Sequence, residues 1–118
     1  MSNKESTRAF ADNHEKSVCK ALNGRQTSGS GSNRFEKGDV VIDDASLMIE
    51  CKCSMTDKQS FSIKRDWLEK NSEEAFRNRL NNKALCFRFG PNSKNYYVID
   101  EKLMSLLVDA LKFTEEDN

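Results

Sequence analysis

Net charge is the first thing this chain lacks: 19 Lys and Arg stand against 19 Asp and Glu. A neutral total does not advertise a polyanionic partner, so any attraction to phosphate has to come from local charge distribution. Long apolar runs are also missing. The polar N-terminal stretch has no run near the length of a signal peptide or membrane span, which predicts an intracellular protein with no membrane partner. Internal repeats are absent, and 118 residues leave no room for a second domain, so residues 1–118 are expected to form one domain. The stretches 1–6 and 115–118 are polar enough to be expected disordered. The four cysteines, Cys19, Cys51, Cys53 and Cys86, lack the spacing of a familiar zinc site even with His14 added. Inside a cell they stay thiols, and they read as small buried hydrophobes.

What is present is unevenly placed. Residues 58–94 carry nine Lys or Arg against four acids, whereas residues 38–57 hold five acids against Lys52 alone. Basic flanks around an acidic centre suit a phosphate backbone held over a cation, although a solvated helix face accounts for any single lysine as well. The acidic centre is GDVVIDDASLMIECK, which reads as a β-hairpin. Strands are expected at Gly38–Ile42 and Leu47–Cys53, with Asp43-Asp44-Ala45-Ser46 as turn. A four-residue loop fixes the register: Ile42 faces Leu47, Val41 faces Met48, Val40 faces Ile49, and Asp39 faces Glu50. Side-chain alternation then puts Lys52 on the face of Glu50, and Leu47, Ile49, Cys51 and Cys53 on the other.

An Asp and a Glu on a hairpin are usually part of a wet face. Here they are expected directly opposite each other, where like charges destabilise a sheet, so something positive is expected between them. A hard cation such as Mg²⁺ suits two carboxylates plus a backbone carbonyl, for which Cys51 is the nearest candidate.

Around the hairpin, Phe10, His14, Val18 and Leu22 mark one face of a helix over about Thr7–Leu22, with Gly24 as a stop and Glu15 beside that face. Residues 25–34 form a Gly/Ser loop whose small residues let a phosphate backbone approach, with Arg25 and Arg34 as contacts. Ser62 is expected to cap a second helix from Ile63 to about Leu80, with Ile63, Trp67, Leu68, Ala75, Phe76 and Leu80 buried. Strands follow at Ala84–Phe89 and Tyr96–Ile99, and then a helix capped by Asp100 whose Leu103, Leu106, Leu107, Ala110 and Leu111 should pack on the sheet. The expected class is α/β, a central mixed sheet flanked by helices in the order α-β-β-α-β-β-α.

Taken in order, Glu15, the SGSGS loop, Gly38-Asp39 and Glu50-Cys51-Lys52 resemble the PD-(D/E)XK nuclease superfamily, and most closely its archaeal-type Holliday junction resolvases. Small phage reading frames are similar in their FSIKRDWLEK-like helix start and in an FRFG strand, here Phe87–Gly90. The resemblance spans about residues 8–100, and Gly38 stands where the family pattern has Pro. It implies a restriction-endonuclease-like core in which Asp39, Glu50 and the Cys51 carbonyl hold Mg²⁺ or Mn²⁺. Lys52 would orient water or stabilise charge on the phosphate, and Glu15 would hold a metal-associated water. Ser28, Ser30, Arg8, Arg25, Arg34 and Lys64 would contact DNA.

The function so implied is a Mg²⁺-dependent endonuclease acting on branched DNA, most concretely a four-way junction resolvase of phage or host recombination. Cutting a junction needs two sites, so a symmetric homodimer is expected, through the last helix or through Phe87 and Phe89. Nicking, flap-cutting or restriction-like nucleases share the same chemistry. A non-catalytic DNA-binding module is the reading from another class, and the intact set of Asp39, Glu50 and Lys52 speaks against it.

Overall fold

A computed structural model describes residues 3–27 and 39–117, with side chains described over 7–27 and 39–114. The protein is α/β; the described residues form three α-helices and a five-stranded mixed sheet. In chain order the elements are α1 (Asn3–Leu22), β1 (Arg25–Gln26), β2 (Asp39–Ile42), β3 (Leu47–Cys53), α2 (Arg65–Arg77), β4 (Asn82–Arg88), β5 (Tyr96–Val98) and α3 (Glu101–Asp117). The strands lie side by side in that order. Only the β3–β4 pair is parallel, because α2 carries the chain back across the sheet between them.

The β2–β3 hairpin has all four expected pairs, Ile42 with Leu47 through Asp39 with Glu50. Its loop folds as a short 3-10 turn over Asp43–Ala45, and Ser46 takes a left-handed conformation with φ 49°. One strand was not expected. Arg25 and Gln26, which open the Gly/Ser stretch, pair with Val41 and Val40 and extend the sheet by β1.

Side-chain alternation divides the core between the two sheet faces. Val40, Ile42, Ile49, Ala84 and Cys86 pack with Val18 of α1 on one face. Val41 and Met48 pack with Ala75 of α2 on the other, with Leu80 beside them. Within α1, His14 and Val18 are buried as its spacing predicts, whereas Leu22 is exposed. The helix ends at Leu22, and Asn23 just beyond it takes the left-handed region at φ 57°, one residue before the glycine expected to stop it. Gly24 has a different job. A Cβ there would meet Val40 Cγ1 at 2.9 Å, so its missing side chain lets the chain press against β2.

Two helices depart from expectation. α2 begins at Arg65 with Lys64 as its N-cap and no side-chain cap, so Ser62 does not cap it and Ile63 lies outside it. Its buried positions are Asn71, Glu74 and Ala75, while Phe76 is 86 % exposed and Leu68 is exposed too. The helix has turned its polar Asn71 and Glu74 inward and left Phe76 and Leu68 toward water. In α3, Asp100 does cap as expected, its Oδ1 accepting from the Leu103 N–H at 2.9 Å. The rest of α3 is only partly laid on the sheet: Leu103 is half-buried and with Leu107 lines a cavity against Leu47, Ile49 and Ala84, while Met104, Leu106, Leu111 and Phe113 are exposed. An amphipathic pattern fixes which side of a helix is apolar but not what covers it. α1 reaches back to Asn3 and α3 on to Asp117, into the terminal stretches expected to lack regular structure.

Candidate metal centre and nucleic-acid interface

Asp39 is the first residue of β2 and Glu50 is its Cα partner on β3. Both are withdrawn from solvent, Asp39 at 0 % and Glu50 at 6 % exposure. The hairpin register forces them together, since the residues between each of them and the loop are paired one to one. Thr27 fixes the main chain at this point: its N–H and its hydroxyl both donate to the Asp39 carbonyl at 3.2 Å. Lys52, two residues along β3 from Glu50, places Nζ 3.8 Å from Glu50 Oε1. The ammonium also lies 4.7 Å from the centre of the Trp67 ring at the start of α2.

Two facing carboxylates away from water raise each other's cost of ionisation unless positive charge is held beside them. Lys52 supplies one charge, on the Glu50 side. The donor set fits a hard divalent ion: carboxylate oxygens from two strands, with the Cys51 main-chain carbonyl between Glu50 and Lys52 as a neutral oxygen. Among the described residues, no three His, Cys, Asp or Glu side chains are grouped so as to hold a metal ion.

Glu15 lies in the middle of α1, on the helix that covers the opposite sheet face. It is buried, and Gln26 Nε2 donates to its Oε1 at 3.3 Å and to Asp12 Oδ1 at 3.0 Å. Burial pushes the Glu15 carboxyl above its ordinary range, the Gln26 bond opposes this, and the Asp12 charge adds to it. Glu15 lines a cavity of about 520 Å³ with Arg8, Asp12, His14, Cys51 and Cys53. The Cys51 side chain thus belongs to the α1 face, and its carbonyl to the strand carrying Glu50 and Lys52.

On that α1 face, His14 Nε2 is 3.3 Å from the Cys86 sulfur, and Cys51 and Cys86 are register partners on β3 and β4. The Cys86 thiol is pulled down by the hydrogen bond from Cys51, with His14 adding to this against the effect of burial. Cys51 is pushed up by the same bond and by burial. Cys86 is buried, whereas Cys19, Cys51 and Cys53 are partly exposed, short of the fully buried thiols expected.

The expected DNA contacts divide. Arg8 is exposed on α1 at the rim of the cavity. Arg25 is exposed, with its guanidinium clamped on Asp43 by bonds of 2.7 and 3.2 Å, which hold the Asp43 carboxyl below its ordinary range. Lys64 is exposed, with Nζ 5.6 Å from the Trp67 ring centre. Ser28, Ser30 and Arg34 lie outside the described residues. Several of the basic residues of the 58–94 stretch are held locally: Arg65 by Glu69, Lys70 by Asp66, and Lys83 by Asp100.

Sequence reasoning missed what surrounds Lys52. Phe87 is its Cα partner on β4, Tyr96 is the partner of Phe87 on β5, and Phe61 and Trp67 close over them from the β3–α2 connection and the start of α2. Trp67 was read as a core residue; it is half-buried beside the Lys52 ammonium. The parallel β3–β4 register that brings Phe87 to Lys52 leaves no short-range signal, because the crossover through α2 does not fix it.

Compared with known proteins, the chain matches no family model, no curated protein and no solved structure.

Proposed function

We propose that this protein is a divalent-metal-dependent DNA endonuclease, a single domain with a restriction-endonuclease-like core, and most concretely a resolvase of four-way junctions in phage or host recombination. One observation carries the reading: Asp39 and Glu50 are register partners, both buried, with the Lys52 ammonium 3.8 Å from Glu50. The element order adds to it, a β-hairpin bearing the acids followed by a helical crossover to a parallel strand.

When bound, Mg²⁺ or Mn²⁺ neutralises phosphate charge and makes water a better nucleophile near neutral pH. The chain's own residues do the rest. Asp39, Glu50 and the Cys51 carbonyl are the groups that would hold the ion. Lys52, steadied between Glu50 and the Trp67 ring, meets the charge that gathers on the phosphate oxygens during in-line displacement. Glu15, on the helix across the sheet, would act outside the direct ligand set. Arg8 and Lys64, both exposed, together with Ser28, Ser30 and Arg34, are the DNA-backbone contacts in this reading.

Junction cutting also needs two sites. The apolar side of α3 supports a homodimer of this chain, since Met104, Leu107 and Leu111 stand exposed on it. A nuclease of other preference would use Asp39, Glu50 and Lys52 in the same way and differ in the DNA it admits.

The test is cleavage by the purified protein of a panel comprising a four-way junction, a flap, a duplex and a single strand, with Mg²⁺ and with the ion chelated. Mg²⁺-dependent cutting of the junction above the duplex, lost in Asp39→Asn, is the expected result. Cutting undiminished in Asp39→Asn removes the site, and DNA binding without cutting of any substrate favours the non-catalytic module.

A further inference from the structure

Five aromatic side chains gather on the sheet face that carries Lys52, and none of them is buried. Phe61, Phe87 and Tyr96 form a file of near-parallel rings: Phe61 to Phe87 is 5.0 Å at 24°, and Phe87 to Tyr96 is 5.8 Å at 28°. Phe89 braces the file edge-on, 5.4 Å from Phe87 and 5.7 Å from Tyr96. Trp67 adjoins Phe61 at 6.2 Å and faces the ammoniums of Lys52 and Lys64 at 4.7 and 5.6 Å. The outermost ring, Tyr96, sits on edge strand β5 and is 46 % exposed.

A buried aromatic core would be capped by a further layer. This one is open at the sheet edge, and it begins at the lysine of the candidate site. Offset-stacked rings accept another flat ring at the end of the file, and nucleobases offer such a face whatever their sequence. The cations at the inner end complement a polyanionic strand rather than an apolar protein surface.

We propose that Tyr96, backed by Phe87 and Phe61, is a stacking platform for the base of an unpaired nucleotide a few positions along the strand from the phosphate held at Lys52. Resting on the nuclease reading above, this names its substrate class as DNA with unstacked bases beside the cut. Neighbouring strands are about 4.8 Å apart, so Tyr96, two strands from Lys52, stands about 10 Å from it, roughly three nucleotides of stacked strand. A base inside an intact duplex is already stacked on both sides and has no face to give. Branch points, gaps and single strands do.

The test measures binding without turnover, with metal chelated, using oligonucleotides that carry 2-aminopurine at successive positions from a gap or branch point. Wild type is expected to quench the probe at one or two positions only. Tyr96→Leu is expected to lose that quenching and about tenfold in affinity for the gapped DNA, with duplex affinity unchanged. Tyr96→Phe should keep both. Circular dichroism and melting of Tyr96→Leu guard against a folding defect, and Phe89→Leu gives a second variant if it is unstable. Equal affinities of wild type and Tyr96→Leu for gapped DNA overturn the platform, as does an equal loss on gapped and duplex DNA. A change of oligomeric state with DNA binding per protomer intact also overturns it and makes the rings an interface between copies. Localised, Tyr96-dependent quenching by a protein that cuts no substrate in Mg²⁺ supports the platform while ending the nuclease reading, so the two failures are distinguishable.

Discussion

The Lys52 ammonium is 4.7 Å from the centre of the Trp67 ring and 3.8 Å from Glu50 Oε1, so an indole on one element and a carboxylate on its own strand fix where its charge sits. A half-exposed cation–π contact contributes about 0.5–1 kcal/mol. Trp67→Ala is therefore expected to lower the single-turnover cleavage rate about two- to fivefold, with Trp67→Phe closer to wild type. Lys52→Ala, which removes the charge itself, should slow cleavage by about 10²-fold or more while DNA affinity changes far less. A Lys52→Ala defect that lies wholly in affinity contradicts the role assigned to it.

Glu15 carries the pH dependence. Its carboxyl is held above the ordinary value of 4.5, by burial first and by Asp12 as well, against the Gln26 hydrogen bond. A raised folded-state value means the folded protein keeps the proton longer than the unfolded chain. Its favourable contribution is thus fully present below the unfolded value and is lost as pH rises through the folded one. Glu15→Gln, which still accepts from Gln26, is expected to melt higher than wild type at neutral pH, with the difference vanishing below about pH 4. Thermal melts across pH 3.5–7.5 check this; a gap that widens on acidification runs against it.

Exposure along α3 predicts self-association. Leu107→Glu with Leu111→Glu should leave the secondary structure intact and shift the protein toward monomer in analytical ultracentrifugation. Wild type that remains monomeric at high concentration would leave this face without a second copy and would weaken the junction reading in favour of other nuclease preferences.

The two sides of α2 give a stability contrast. Met48 and Leu85 are fully buried, so truncation to Ala is expected to cost about 2–5 kcal/mol each. Phe76, 86 % exposed, should cost less than about 0.5 kcal/mol as Phe76→Ala. Urea denaturation of the three variants measures both; a large loss at Phe76 would mean it is covered in solution.

How much of this was legible in the sequence follows from the range of each interaction. The Asp39–Glu50 pairing was readable because a four-residue loop leaves the hairpin one register that buries its apolar face. Asp100 as a cap was readable for the same local reason. What depended on long-range packing was not. The approach of Phe87 to Lys52 follows from a parallel pairing across a helix, and the exposure of Phe76 and of the α3 leucines follows from how each helix is set down. Both helices satisfied a periodic pattern that says nothing of the surface opposite. The β1 strand hid because Arg25 and Gln26 stand in a polar stretch with no strand-like alternation. Within that stretch, Ser28, Ser30 and Arg34 lie beyond the described residues.

The most direct measurement is calorimetric titration of Mn²⁺ into the wild-type chain, Asp39→Asn and Glu50→Gln, each without DNA. One ion per chain in wild type, lost in both variants, is the predicted result, because each acid supplies half of a shared site. Binding that survives either substitution undiminished, or no binding to a folded wild-type chain with or without a DNA strand present, would contradict it.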